Sequence, residues 1–151
     1  MTAESQPSIG DLMAASVPMV RTLNLEYLET TPQRAVVALP DQPEYRNHVH
    51  GPHAGAMFTV GESASGAVTI AAFSEQLARA VPLPVRVEVS YKKVARGRLT
   101  ATATLQRPVR EVLDVLESGV RPEFPVHVSL TREDGAEVGE MTVVWTLRPN
   151  D

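Results

Sequence analysis

One short segment of the chain carries most of the side chains that could do chemistry. Three histidines, His48, His50 and His53, fall within six residues, and a single carboxylate, Glu62, follows nine residues after the last of them. Such a set could bind a metal ion, could serve in acid–base or nucleophilic catalysis, or could consist of ordinary polar residues. The spacing and the surroundings of these residues distinguish the three possibilities.

A buried helix is predicted to begin at His53. From there to about Gln76 the chain contains no proline and is dense in alanine, and apolar residues recur at three- and four-residue steps. The first amides of such a helix, chiefly those of Ala54 and Gly55, have no partner within the helix. With the helix dipole they favour negative charge, so they could stabilise the oxyanion that forms in acyl transfer.

Glu62 lies on the opposite side of this helix from its start. Nine residues correspond to a rotation of about 900°, which is half a turn beyond whole turns, and to a rise of about 13.5 Å. A site that uses both His53 and Glu62 therefore needs a second chain, most simply through a twofold axis that sets two such helices antiparallel. A carboxylate among small apolar residues at that interface would have a raised pKa, which suits a general base. A solvated helix glutamate is the ordinary alternative.

A metal site is the less favoured interpretation of the histidines. His48 and His50 lie on a loop that contains proline and glycine, and zinc sites usually have a fourth ligand and a rigid element that spaces the ligands. His53 is typical of a helix-start residue whose ring bonds the nearby backbone. We therefore expect neither a metal nor a cofactor.

The rest of the chain must position this segment. Before the long helix, the apolar pattern predicts a flanking helix capped by Asp11 and restarted at Pro18, and then a hairpin of residues 24–29 and 33–39. After the long helix, it predicts strands near 85–89 and 99–105, a short helix over 109–116, and strands at 124–130 and 141–147. Six strands curling around one small-residue helix form an α+β fold. We expect a flexible tail, residues 1–10, and a single domain, residues 11–151.

The composition argues against several classes of partner. A chain of 151 residues without cysteine has no disulfide and no thiolate nucleophile, and its net charge of −4, with both signs interspersed, presents no concentrated positive face for nucleic acid. No apolar stretch approaches the length of a membrane span, and the first twenty residues lack the features of a signal peptide. We expect a soluble cytoplasmic protein that binds neither nucleic acid nor membrane.

The segment NHVHGPHAGAMFTVGESASG, in which Asn47, His53, Ala54, Gly55 and Glu62 follow in order, resembles the signature of hotdog-fold acyl-CoA thioesterases of the phenylacetate-degradation (PaaI-like) type. In that family an Asn precedes a His-Gly-Gly helix start, and an acidic residue follows nine residues after the His. The version with Ala54 and Glu62 is most similar to the DUF4442 group of hotdog proteins. The order of strands is similar to this fold from about Leu12 to Arg148.

The resemblance implies hydrolysis of an acyl-CoA or acyl-carrier-protein thioester at the interface of a homodimer, often paired into a tetramer. By motif position, Glu62 would activate water or attack the thioester carbonyl, and the Ala54 amide, with Gly55 beside it against the substrate, would polarise the carbonyl oxygen. Asn47 and His53 would hold the thioester and the water, facing Glu62 of the other chain.

The resemblance also suggests a role for one local basic cluster, formed by Lys92, Lys93, Arg96 and Arg98 between two predicted strands. Family members bind the nucleotide of coenzyme A near this strand connection, so the cluster would contact the phosphates. A solvated charged turn is the alternative.

The sequence departs from the family pattern at three places. His50 replaces the glycine usually found three residues after the Asn, with Gly51 one place later, so we expect the loop to bend differently. Ala54 replaces the first glycine after the His, and Pro84 stands near a position where some relatives have a Ser or Thr that assists the water. These departures favour, as the alternative, a non-catalytic protein that binds acyl-CoA or another acyl ligand. A hotdog dehydratase is a further alternative.

Overall fold

Two short helices flank the domain at its N-terminal side. The computed structural model describes residues 7–151, in which α1 spans Ile9–Ser16 and α2 spans Pro18–Thr22. The Ser8 hydroxyl accepts a hydrogen bond from the Asp11 amide, and the Asp11 carboxylate accepts one from the Ser8 amide, so Ser8 is the cap. The prediction that Asp11 caps this helix is wrong, since the helix begins two residues earlier. Of the expected tail, residues 1–6 lie outside the described part.

Six antiparallel strands form one sheet in the order β1-β2-β4-β5-β6-β3. The strands are β1 Glu26–Thr30, β2 Arg34–Leu39, β3 Ala80–Tyr91, β4 Leu99–Leu105, β5 Glu123–Arg132 and β6 Glu137–Pro149. The predicted hairpin of the first two strands is confirmed, as is the number of strands. The turn between the last two strands contains Gly135, whose φ of 85° lies in the left-handed region that glycine favours.

β3 is longer than predicted and begins before two prolines that were expected to lie outside the strand. Pro82 and Pro84 have no amide hydrogen to donate, but β3 lies at the edge of the sheet and pairs with β6 on one side only, where proline is tolerated. The register shifts between Pro84 and Arg86. Within residues 7–151 no strand covers the other side of β3.

The predicted long helix is confirmed as α3, which spans Ala54–Ala72 and is followed by a short 3₁₀ turn over Ser74–Gln76. Its buried face packs on the concave side of the sheet, and its contacts are mostly with β4, β2 and β5. At Gly61 an added Cβ would lie 2.1 Å from the Met141 sulfur, so glycine allows the helix to approach the sheet closely. The small residues therefore bring the helix, and Glu62 with it, against the strands.

The short amphipathic helix is also confirmed, as α4, Val109–Glu117. Val112 and Leu116 are buried in the core, and Gly119, with φ of 86°, follows the helix end. None of the helices within residues 7–151 is both long enough and apolar enough to cross a membrane.

Candidate functional site

His53 caps α3 and uses one of its two predicted free amides. The His53 Nδ1 atom accepts a hydrogen bond from the Gly55 amide at 2.8 Å. A neutral His53 ring therefore carries its proton on Nε2. The Ala54 amide has no acceptor among residues 7–151. Of the amides at the helix start, that of Ala54 is thus available to an incoming oxygen, whereas that of Gly55 is already bonded.

Asn47 holds the loop that leads into α3. Its Oδ1 atom accepts from the amides of Val49 and Gly51, both at 3.1 Å, and its Nδ2 atom donates to the Pro52 carbonyl at 3.3 Å. The backbone amide of Asn47 also donates to the Gly51 carbonyl at 2.7 Å. The structure therefore gives Asn47 a loop-organising role in addition to the substrate contact predicted for it.

The departures in this loop have a structural explanation. His50, at the position where the family pattern has glycine, adopts φ of 62°, in the left-handed region that glycine favours. Gly51 is needed for a different reason, because an added Cβ would lie only 2.1 Å from the Ala95 carbonyl oxygen. His48 and His50 are exposed, and the part of the chain from residue 7 onward contains no group of three potential ligands placed to hold a metal ion.

The loop, the start of α3 and the end of β3 line an open cavity of about 400 Å³, which we call the helix-start cleft. Asn47, Ala54 and the two lysines Lys92 and Lys93 line it. The Tyr91 hydroxyl also lines it and donates to the Ala54 carbonyl at 3.3 Å. The structure thus brings Ala54 and two lysines of the basic cluster to one cavity.

The predicted basic cluster divides into paired and unpaired members. Lys92 contacts the carboxylates of Glu137 and Glu140 at 2.5 and 3.2 Å, and these partners raise its pKa. Arg98 pairs with Glu26 at 2.6 Å, which lowers the pKa of that carboxyl.

Lys93 and Arg96 have no ion pair with any residue from 7 to 151. Lys93 lines the helix-start cleft, whereas Arg96 lines a separate surface pocket together with Arg132, Glu133 and Asp134. Of the four cations, Lys93 is therefore the one that both lines the helix-start cleft and has no ion pair with a described residue.

Glu62 lines a second cavity of about 400 Å³, which we call the Glu62 chamber. Most of its walls are apolar, and they include Met13, Val17, Val20, Ile70, Pro82 and Trp145. Burial in this setting raises the pKa of the Glu62 carboxyl. Pro84 also lines the chamber and contributes no side-chain hydroxyl to it.

Within one chain, the chamber and the cleft are separate. No residue lines both cavities, and Glu62 does not line the cleft that contains Ala54 and Asn47. This agrees with the half-turn between Glu62 and the start of α3. One chain therefore holds the two halves of the predicted site apart.

Sequence reasoning missed two hydroxyl groups in the Glu62 chamber. Tyr27 of β1 and Ser63 of α3 both line it. Burial, and the charge of Glu62, raise the pKa of Tyr27 to about 12. Tyr27 stands in a short strand without a motif, so its only sequence signal was an aromatic residue among alternating side chains.

Comparison with known proteins gives one family and many similar structures. The model of the domain of unknown function DUF4442 matches residues 7–147. The structure of PA5026 from Pseudomonas aeruginosa, a protein of unknown function described as a probable thioesterase, is similar with a TM-score of 0.82, 24% sequence identity and 92% coverage of each chain. No curated protein matches the chain.

Two further solved structures share the fold. A thioesterase family protein from Silicibacter pomeroyi has a TM-score of 0.74 at 22% identity, covering 93% of this chain and 95% of its own. A mutant of the thioesterase enzyme SAV0944 from Staphylococcus aureus has a TM-score of 0.73 at 16% identity, covering 88% of this chain and 100% of its own. At such identities the likeness establishes a common architecture.

Proposed function

Since the chain belongs to the DUF4442 family and has the hotdog fold, we propose that it hydrolyses a thioester of the acyl-CoA type. The observation that carries the proposal is the combination of two groups, the free Ala54 amide at a helix start and the Glu62 carboxylate with its raised pKa. The names of the similar structures, three of which describe thioesterases, support the same chemistry.

The proposed site lies between two chains. Ala54 of one chain and Glu62 of the other face one another when two α3 helices lie antiparallel across a twofold axis. The uncovered edge of β3 and its exposed Val85 and Tyr91 support an association of this kind, because an open strand edge with apolar side chains favours pairing with another chain. A homodimer is therefore part of the proposal.

In the proposed reaction, the thioester carbonyl oxygen accepts a hydrogen bond from the Ala54 amide, which stabilises the developing negative charge. The Glu62 carboxylate takes a proton from water, and the water oxygen attacks the carbonyl carbon. The carbon–sulfur bond then breaks, and Glu62 returns the proton to the departing sulfur. The products are a free acid and a thiol. Attack by the carboxylate itself, followed by hydrolysis of the anhydride, yields the same products. The raised pKa of Glu62 strengthens it as a base near neutral pH.

The helix-start cleft provides the approach for the thiol part of the substrate. It leads from the Ala54 amide to Lys93, whose ammonium group has no carboxylate partner in the described chain. A phosphate of coenzyme A would be attracted there, with Arg96 as a further cation at the surface. His53 caps the helix that presents the amide, and Asn47 fixes the loop before it.

Two substitutions test the proposal with little disturbance of the fold. Glu62→Gln removes the base and keeps the side-chain shape. Ala54→Pro replaces the amide hydrogen with a ring carbon and should leave the helix intact, because proline is tolerated at the first helical position and His53 already has the extended backbone that precedes proline. Each should lower thiol release from a panel of acyl-CoAs by about 10²-fold or more. Full turnover by Glu62→Gln would overturn the proposal, and tight acyl-CoA binding by an inactive wild type would instead support a non-catalytic acyl-binding protein.

A further inference from the structure

The polar groups of the Glu62 chamber are gathered around Glu62. Ser63 follows Glu62 in α3, and Tyr27 is close enough to feel the charge of the Glu62 carboxylate. The Tyr27 hydroxyl lies near that of Ser63. The side chains from the N-terminal helices and their junction that line the chamber are all apolar: Met13 of α1, Val17 between the helices, and Val20 of α2. The chamber therefore has one polar region, beside Glu62, and apolar walls.

These hydroxyl groups have hydrogen-bonding capacity to spare. The Ser63 hydroxyl is hydrogen-bonded to that of Tyr27, but the Tyr27 hydroxyl itself donates to no carbonyl or carboxylate oxygen of residues 7–151. The neighbouring Ser65, by contrast, donates to the Glu62 carbonyl and accepts from Trp145. The raised pKa keeps Tyr27 protonated and hence a donor. A purely hydrocarbon acyl group would displace water from the Tyr27 hydroxyl and replace none of its hydrogen bonds, which is costly. An acyl group with its own oxygen substituent avoids that cost.

We propose that the Glu62 chamber takes the acyl part of the substrate, and that Tyr27 and Ser63 select an acyl group with a hydroxyl on the carbon β to the thioester carbonyl. This rests on the proposed function, which places the carbonyl beside Glu62. The substituent belongs near the carbonyl because the two hydroxyls lie at the Glu62 side of the chamber. A volume of about 400 Å³ is toward the lower end for ligand cavities, so the acyl group is of modest size.

The test compares β-hydroxyoctanoyl-CoA with octanoyl-CoA, which differ by one hydroxyl group. With wild-type protein, kcat/KM should be about two- to tenfold higher for the hydroxylated substrate, the range expected for one net hydrogen bond. Tyr27→Phe should bring the ratio close to one, and Ser63→Ala should lower it. Tyr45→Phe is the matched control, since the Tyr45 hydroxyl donates to the Pro40 carbonyl away from the chamber, and the ratio should persist.

Binding of non-hydrolysable analogues, with a methylene group between sulfur and carbonyl, separates this inference from the proposed hydrolysis. Wild-type protein should bind the β-hydroxy analogue more tightly by a similar factor, and Tyr27→Phe should remove the preference. Preferential binding without turnover of either thioester would overturn the proposed hydrolysis and support the selection. A ratio near one in the wild type, or a ratio unchanged in both chamber variants, would overturn the selection even if both substrates are hydrolysed.

Discussion

Gly51→Ala should damage the loop that presents the start of α3. The amide of Gly51 donates to Asn47 Oδ1, and its carbonyl accepts from the Asn47 amide, so the residue fixes both ends of the loop. A methyl group at this position would point at the backbone of Ala95, in the connection that follows β3. Because the obstacle is backbone, no side-chain rotation can relieve the contact.

The size of the effect follows from the geometry. The added Cβ would lie 2.1 Å from the Ala95 carbonyl oxygen, and real contacts of this kind are essentially never shorter than 3.0 Å, so one segment must move by at least 0.9 Å. Overpacking of this degree costs about 1–3 kcal/mol of stability. A displacement of about 1 Å at a reacting group can lower the rate by about 10²-fold. We therefore expect a modest loss of stability and a much larger loss of thioester hydrolysis.

Urea unfolding would give the stability, and thiol release from acyl-CoA would give the rate. His50→Gly is the control in the same loop, since it suits the left-handed conformation at that position. It should change the stability by less than about 1 kcal/mol, because relief of the backbone cost is offset by the greater freedom of the unfolded chain. A Gly51→Ala protein with wild-type stability and turnover would refute the role assigned to this close contact.

Three further predictions concern charge and capping. Hydrolysis should increase as the pH rises through the raised pKa of Glu62. A carboxyl whose pKa is raised by folding contributes stability below its unfolded-state pKa, and this contribution is lost as the pH rises through the folded-state pKa. Glu62→Gln should therefore remove that part of the pH dependence of the unfolding free energy, measured in urea. Lys93→Met should raise KM for acyl-CoA but not for the corresponding acyl-pantetheine, and Lys92→Met, whose ammonium group is paired with Glu137 and Glu140, should have a smaller effect on the same kinetic comparison. Ser8→Ala should lower the unfolding free energy by about 1 kcal/mol, measured in urea, because it removes the α1 cap.

The elements were predictable where one local pattern determined them. The alanine-dense period predicted α3, and alternating apolar residues predicted the strands of the sheet. The beginning of β3 was missed because Pro82 and Pro84 argue against a strand unless it lies at a sheet edge, and edge position depends on the whole topology. The cap of α1 was misplaced because Ser8 and Asp11 are both good capping residues, and the structure uses them reciprocally.

Only those features of the candidate site that depend on residues close together in the sequence could be predicted. The separation of Ala54 from Glu62 followed from helix geometry, and the structure places them in different cavities. The hydroxyls of Tyr27 and Ser63 were missed because β1 is brought beside α3 by tertiary packing. The ion pairs that Lys92 and Arg98 each form could not be predicted either, since the acidic partners of Lys92 lie on β6 and that of Arg98 lies on β1.

The measurement that tests the central claim most directly is subunit complementation between Glu62→Gln and Ala54→Pro. Each variant alone lacks one half of every site. In a mixed dimer, one site carries both substitutions and the other carries neither. Random exchange of equal amounts makes half of the dimers mixed, each with one intact site of two, so thiol release should recover to about a quarter of the wild-type rate. No recovery in dimers shown to have exchanged subunits would contradict a site shared between two chains.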